Sequence, residues 1–232
     1  FDATMNYVLR NAILDFANGS DARNLVANLE HLREAYPPQA FHALMNLLSS
    51  HDQARALHVL GGPFDASPEA MQQAKQKLRL ATVVQLTLPG SPTIYYGDEV
   101  GLTGGDDPYN RMPYPWADQG GQPDMALRQD FKSLLKLRQE KKVLRRGVLL
   151  APLLSTPHVV VLARLWERDL ALVAVNNSQQ AQTHTFNLPA LAHGKEGAVW
   201  WGNGDVNRQG SQMTVTLPPL GAWVWGTNSA SK

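Results

Sequence analysis

The 232 residues include no cysteine, which excludes a disulfide framework, a thiolate metal site and a thiol nucleophile. The same absence leaves the compartment open, because cysteine-free proteins occur on both sides of a membrane. Long hydrophobic runs are missing as well. No stretch approaches the ~18 apolar residues of a membrane span, so no membrane partner is expected. Charge of one sign is missing too: 21 basic against 20 acidic residues leave a net charge of +1, without the basic surface that nucleic acid requires. The balance holds on either side of residue 146, with 16 basic and 16 acidic residues before it and 5 and 4 after it. There is no internal repeat and no low-complexity segment. The chain opens on Phe1-Asp2, with neither an initiator Met nor a signal-peptide pattern, which predicts a start inside a longer polypeptide.

What is present is an ordinary globular composition, 44% apolar and 18% charged, in a chain long enough for one large core or two moderate ones. Up to about residue 146, helical patterns alternate with short apolar runs. Met5, Val8, Ala12 and Phe16 share a helical face, closed by Gly19. Asp21 caps a second helix bearing Leu25, Leu29 and Leu32, which Pro37-Pro38 ends. Ser67-Pro68 opens a third, with Met71, Ala74, Leu78, Ala81 and Val84 on one side. Asp124 caps a fourth, carrying Leu127, Phe131, Leu134 and Leu135. Two short runs, Ala43 to Leu48 and Thr93 to Tyr96, read as strands, each followed at once by polar residues. The cluster Lys136, Arg138, Lys141, Lys142, Arg145 and Arg146 reads as a cationic helix end facing solvent.

After residue 147 the pattern changes to short β-type runs, Val148 to Leu154, His158 to Trp166, Leu170 to Val175, Thr183 to Leu188, Met213 to Leu217 and Ala222 to Trp225, divided by turn residues. They predict a small antiparallel sandwich. The first half predicts βα units, in which functional residues sit on the loops after the C-terminal ends of parallel strands.

Both polar strings fall on such loops. The first is His51-Asp52 with Arg55 one turn on: a carboxylate beside an imidazole and a guanidinium, suited to a polyhydroxylated substrate and to positive charge developing on it, or equally to a helix cap with a salt bridge. The second runs from Tyr95 through Gly97-Asp98-Glu99 and Gly104-Gly105-Asp106-Asp107 to Asn110-Arg111 and Trp116. Acids, an arginine and aromatics together bind hydroxyl pairs and stack on sugar faces. Asp98, Asp106 and Asp107 are also hard calcium ligands, but their spacing fits no EF-hand. Composition alone could pair Asp52 with Glu99 as a glycosidase acid and nucleophile. Five of the six tryptophans, Trp166, Trp200, Trp201, Trp223 and Trp225, lie in the second half; Trp223 and Trp225 alternate as one inward strand face does, which predicts core rather than a glycan-stacking surface.

At these residues the sequence resembles the α-amylase family of glycoside hydrolases, nearest its cyclomaltodextrinase, neopullulanase and maltogenic amylase branch. The likeness rests on FDATMNY at the start, MNLLSSHDQAR at 45–55, LTLPGSPTIYYGDEVGLTGGDDPYNRMPYPW at 86–116 and the helix LLKLRQEKKVL. It implies an α/β fold: the C-terminal part, about strands six to eight, of a TIM (β/α)₈ barrel over residues 1–146, followed by an all-β sandwich over 147–232. FDATMNY then resembles the sixth barrel strand, which moves the first helix start to near Val8. MNLLSSHD resembles the seventh strand and its catalytic loop, and TIYYGDE the eighth strand. By the same resemblance Asp52 matches the acid that stabilises an oxocarbenium-like transition state, His51 the histidine that hydrogen-bonds the same sugar, and Asp107 and Arg111 residues that hold the glucan on its non-reducing side. No metal or cofactor is implied.

The family's nucleophilic aspartate and acidic glutamate follow the fourth and fifth strands, ahead of FDATMNY. The expectation is therefore a polypeptide carrying one catalytic acid of three, inactive alone on maltooligosaccharides, cyclodextrins or pullulan. About three of eight barrel strands leave open edges, so a companion N-terminal half or self-association is expected to cover them. Two alternatives remain at this point: a transglycosylase or isomerase of the same family, and a non-catalytic glycan-binding module built on the tryptophans of the second half.

Overall fold

Where a short polar side chain precedes an apolar face, a helix begins. The computed structural model describes residues 4–227. Helix α1 (Tyr7–Ala17) opens on Asn6, whose side chain accepts from the Leu9 amide; α2 (Ala22–Ala35) opens on Asp21 in the same way, and the short α3 (Pro38–Phe41) follows the proline pair. Strand β1 (Met45–Asn46), the turn of helix α4 (Ala56–Val59), the long α5 (Pro68–Thr87) capped by Ser67, and strand β2 (Ser91–Pro92) come next. Helix α6 (Met125–Glu140), capped by Asp124, and α7 (Lys142–Arg146) close the helical half. The three caps expected from the sequence, Asp21, Ser67 and Asp124, and the unexpected Asn6 each accept a hydrogen bond from an orphan first-turn amide.

Three chain segments run parallel. Met5 bridges Met45, and β1 pairs with β2. The bonds are Asn6 N–H to Met45 O (2.9 Å), Ser91 N–H to Leu44 O (2.8 Å) and Thr93 N–H to Asn46 O (2.7 Å). Met5 thus lies in a strand-like segment and not on α1; Phe1, Asp2 and Ala3 of the first motif lie outside the described residues. Strand β2 pairs earlier than the run Thr93 to Tyr96 suggested, because after Thr93 the chain leaves its neighbour and turns both tyrosine rings toward Arg55. A buried amide ladder ties the three segments together: Asn6 Nδ2 donates to Asn46 Oδ1, Asn46 Nδ2 to Pro89 O, and Gln85 Nε2 to both Asn46 O and Thr93 O. Gly90 sits beside it at φ +121°, where a Cβ would strike the Asn46 amide and the Leu44 carbonyl. Gly90→Ala is expected to lower stability by about 2 kcal/mol or more, through left-handed strain and a broken ladder; a urea midpoint equal to that of the unmodified chain would refute it.

The C-terminal end of α5 is held by two buried arginines. Arg138 donates to the carbonyls of Leu86 (2.8 Å), Leu88 (3.0 Å), Leu144 (2.9 Å) and Gly90 (2.7 Å). Arg164 donates to Thr87 O and Gly147 O. The bare carbonyls and the negative end of the helix dipole satisfy both cations without a carboxylate. Burial lowers the Arg138 pKa to about 10 and that of Arg164 to about 9, so both stay charged at neutral pH. The solvent-facing reading of the cationic cluster therefore fails for Arg138, and Lys141 also turns inward, its Nζ 4.3 Å from the centre of the Trp200 ring.

The remaining chain forms β3 (Val148–Leu149), β4 (Leu154–Ser155), β5 (Val159–Trp166), β6 (Asp169–Asn176), β7 (Gln182–Asn187), β8 (Gly197–Gly202), β9 (Asp205–Gln209), β10 (Gln212–Leu217) and β11 (Ala222–Thr227). Six of them make a sheet in the order β3-β5-β6-β11-β8 with β4 on β5, and three make a second in the order β7-β10-β9; the pairs within each are antiparallel. Alternation along the central strands serves two cores at once. Val160, Leu162, Val173, Val175 and Val224 face the helices, while Val161, Leu172, Trp223 and Trp225 join Phe186, Met213 and Val215 of the smaller sheet. The expected run Val148 to Leu154 is split in two around Pro152, and β8 and β9 were not expected. In β8 the register slips beside Val224 and Trp225, so that consecutive Trp200 and Trp201 both lie against the helical core.

Candidate functional site

The loop after β1 is clamped from three sides. Arg10 on α1 donates from Nε to Leu48 O and from Nη2 to Ala54 O, each at 2.9 Å. The Ser50 hydroxyl lies 3.1 Å from the Tyr7 hydroxyl and accepts from the Asp52 amide at 3.1 Å. Ser49 Oγ accepts from the Ala56 amide and donates to Asp98, both at 2.8 Å. These bonds leave the His51 and Asp52 side chains more than half exposed, with His51 Nε2 3.2 Å from Asp52 Oδ1.

Asp98 itself is fully buried. Burial pushes its carboxyl up to about 7, against the opposing pull of the Ser49 hydroxyl, Arg55 and Arg10 and with a further push from Glu99. Its cationic neighbour is Arg55, 3.6 Å away and without solvent exposure. The Arg55 guanidinium donates to Tyr96 O (2.7 Å) and lies over the rings of Tyr95 and Tyr96, 4.5 and 4.7 Å from their centres. Arg55 thus does not accompany His51 and Asp52, as its sequence position suggested, but turns inward to join the loop after β1 to the loop after β2.

Two side chains of that second loop converge on one backbone atom of the first. The His51 carbonyl accepts from Asn110 Nδ2 (3.0 Å) and from Arg111 Nε (3.2 Å), and Asn110 also donates to Gln53 O. Arg111 Nε lies 3.4 Å from Asp107 Oδ1. His51, Asp52, Asp107 and Arg111 are therefore brought into one constellation, although about sixty residues separate its two halves in sequence. The constellation offers an exposed carboxylate, an imidazole and an Asp–Arg pair, both hydrogen-bond donors and acceptors.

The other sequence candidates fall elsewhere. Glu99 does not face Asp52; its Oε2 accepts from the Gly97 amide at 2.8 Å. Asp98 and Asp107 face arginines, which removes two of the three proposed calcium ligands. Trp223 and Trp225 are core residues, as their alternation predicted, and the half-buried Trp166, Trp200 and Trp201 pack against the helical core, with Trp201 Nε1 bonded to Ser133 Oγ (2.8 Å). Arg10 and Tyr7 were not singled out from the sequence. Each is an unremarkable position on an amphipathic helix, and only the parallel placement of α1 beside β1 gives them their role.

With this geometry in place, comparison with known proteins is decisive. The model of the α-amylase catalytic domain matches residues 1–144. The chain belongs to the α-amylase family. Among its curated relatives, a cyclomaltodextrinase of Geobacillus thermopakistaniensis is 34% identical over 99% of the chain and 37% of the relative, and an amylopullulanase of Thermoanaerobacterium saccharolyticum is 34% identical over 95% and 19%. A debranching enzyme from Nostoc punctiforme superposes with a TM-score of 0.84 at 26% identity, over 98% of this chain and 48% of that one. The chain thus spans less than half the length of each of these α-amylase-family proteins. The Nostoc punctiforme structure shares its mixed α/β architecture.

Proposed function

We propose that this chain is the C-terminal part of a retaining α-glucan hydrolase, in which residues 1–146 complete a (β/α)₈ barrel and residues 147–232 form its C-terminal sandwich. The observation that carries the reading is the shared His51 carbonyl, which seats Arg111 and Asn110 against the loop bearing Asp52. In this reading Asp52 is the transition-state stabiliser: a water-accessible carboxylate beside the anomeric carbon, whose interaction strengthens as positive charge develops there. His51 donates to a hydroxyl of the same sugar, and Asp107 with Arg111 holds the glucan beyond it. Maltooligosaccharides, cyclodextrins and pullulan are the substrate class, in keeping with relatives named cyclomaltodextrinase, neopullulanase and amylopullulanase.

Asp52 acts only on a transition state that other groups create. Without a nucleophile no glycosyl-enzyme bond forms, and without an acid the leaving oxygen keeps its negative charge. The 232-residue polypeptide alone is therefore expected to show no turnover of maltoheptaose or β-cyclodextrin; turnover that Asp52→Asn abolishes would overturn the reading. The edges of the three parallel segments take a companion N-terminal half of the barrel or a second copy, so the purified chain is expected to elute above its 25.5 kDa mass in size-exclusion chromatography. A clean monomer would refute that part.

A further inference from the structure

The loop after β2 carries a second feature beyond the Asp107–Arg111 pair. Trp116 is 55% exposed, an unusual placement for the largest apolar side chain when five other tryptophans are buried or half-buried. It does not dangle. Its ring rests on that of Tyr114, centres 4.4 Å apart and planes inclined at 45°. The Tyr114 hydroxyl faces the Glu99 carboxylate, which is itself fixed by the Gly97 amide. The backbone is tied as firmly: Trp116 N–H donates to Tyr114 O, and Trp116 O accepts from the amides of Gln119 and Gly121. On the side toward the site, the Tyr96 hydroxyl donates to Met112 O at 2.9 Å, next to Arg111.

We propose that Trp116 is a stacking platform for a pyranose ring of an α-glucan, placed at the outer rim of the loop that presents Asp107 and Arg111. The proposal rests on the α-glucan reading above and extends it to a sugar bound outside the Asp52–Arg111 constellation. A rigid, propped, solvent-facing indole binds a flat apolar partner with little loss of side-chain freedom, and the C–H face of a pyranose is such a partner. Continuity with the hydroxyl-binding pair on the same loop selects a sugar over a peptide. Tyr114, whose ring props the indole, is then a positioning residue, and Trp116 makes the contact.

The test is a titration of the ¹⁵N-labelled 232-residue chain with maltoheptaose, following the indole N–H resonance that Trp116→Phe removes from the spectrum together with the backbone amides of His51 and Arg111. Both sets are expected to shift with one dissociation constant. Trp116→Ala is expected to weaken binding about tenfold, the loss of one stacked ring, and Tyr114→Ala, which removes the ring that props the indole, to weaken it less while broadening the indole resonance. Shifts at His51 and Arg111 with a silent indole, or undiminished affinity in Trp116→Ala, overturn the platform and leave the glucan reading standing. A shifted indole with silent His51 and Arg111 supports the platform and overturns the placement of the site. No shift at any of them overturns both.

Discussion

Arg138→Met is expected to lower folding stability by about 4 kcal/mol, read as a shift of the urea midpoint at unchanged slope. Methionine matches the aliphatic stem but donates nothing, so the carbonyls of Leu86, Leu88, Gly90 and Leu144 lose their shared donor at once. Each buried acceptor left bare costs about 1–3 kcal/mol, partly recovered where water can enter. Removing the cation also relieves Arg164, whose pKa is depressed first by burial and then by Arg138, which holds the net loss below the sum of four orphaned acceptors. Arg138→Lys is expected to recover only part of the loss, because one ammonium cannot reach four carbonyls spread around a planar fork. A loss under about 1 kcal/mol for Arg138→Met, the range of an ordinary surface substitution, would show that the four bonds do not brace α5.

The second large effect is a dependence on pH that runs opposite to that of most carboxylates. Asp98 titrates near 7 in the folded chain, raised by burial from an ordinary value near 3.8. Between those values the folded state keeps a proton that the unfolded state has released, so the contribution of Asp98 is fully present below about pH 4 and is lost as pH rises to 7, by about 1.4 kcal/mol per unit. From pH 5 to pH 8 the unmodified chain is expected to lose about 2–3 kcal/mol relative to Asp98→Asn, whose amide keeps the donor–acceptor role without the proton. The groups facing Asp98 sharpen the test: Arg55 and Arg10 favour its ionised form, Glu99 opposes it, and Ser49 donates to it. Parallel stability curves for the two proteins over that interval would refute the assignment.

How much of this was legible beforehand differs element by element. The four capped helices were, because Asn6 aside each cap residue stands directly before a periodic apolar face, and local chemistry suffices to place such a start. Asn6 was hidden from periodicity by the accident that Met5 falls in phase with Val8 and Ala12; the family resemblance of FDATMNY moved that segment to a strand, and the bridge from Met5 to Met45 bears this out. Strands β5, β6, β10 and β11 were legible from their β-branched runs. Strand β9 was not, because Asp205–Gln209 is a polar edge strand with no apolar run, and β8 was not, because a bulge puts two tryptophans on one face. Of the site, the residue types were readable and their meeting was not. Spacing placed Arg55 with Asp52, whereas the fold buries it against Asp98 and over the rings of Tyr95 and Tyr96, partners that only the tertiary structure brings to it. The His51 carbonyl that joins the loops carries no sequence signal at all.

The family model ends at residue 144, close to the point where the chain passes from helices to sheets, and it is natural to treat that point as a place to divide the gene. The side-chain packing does not divide there. One face of β5, β6 and β11 belongs to the same apolar cluster as α1, α2 and α5, Asn177 reaches back to the carbonyls of Phe16 and Ser20, and Trp201 is bonded to α6. An expression clone stopped at the homology boundary would therefore make a polypeptide whose helices have lost their inner wall. The six-stranded sheet is better regarded as the back of the helical half than as a passenger behind it, and a chimaera between relatives of this family would have to carry both sides of that wall together.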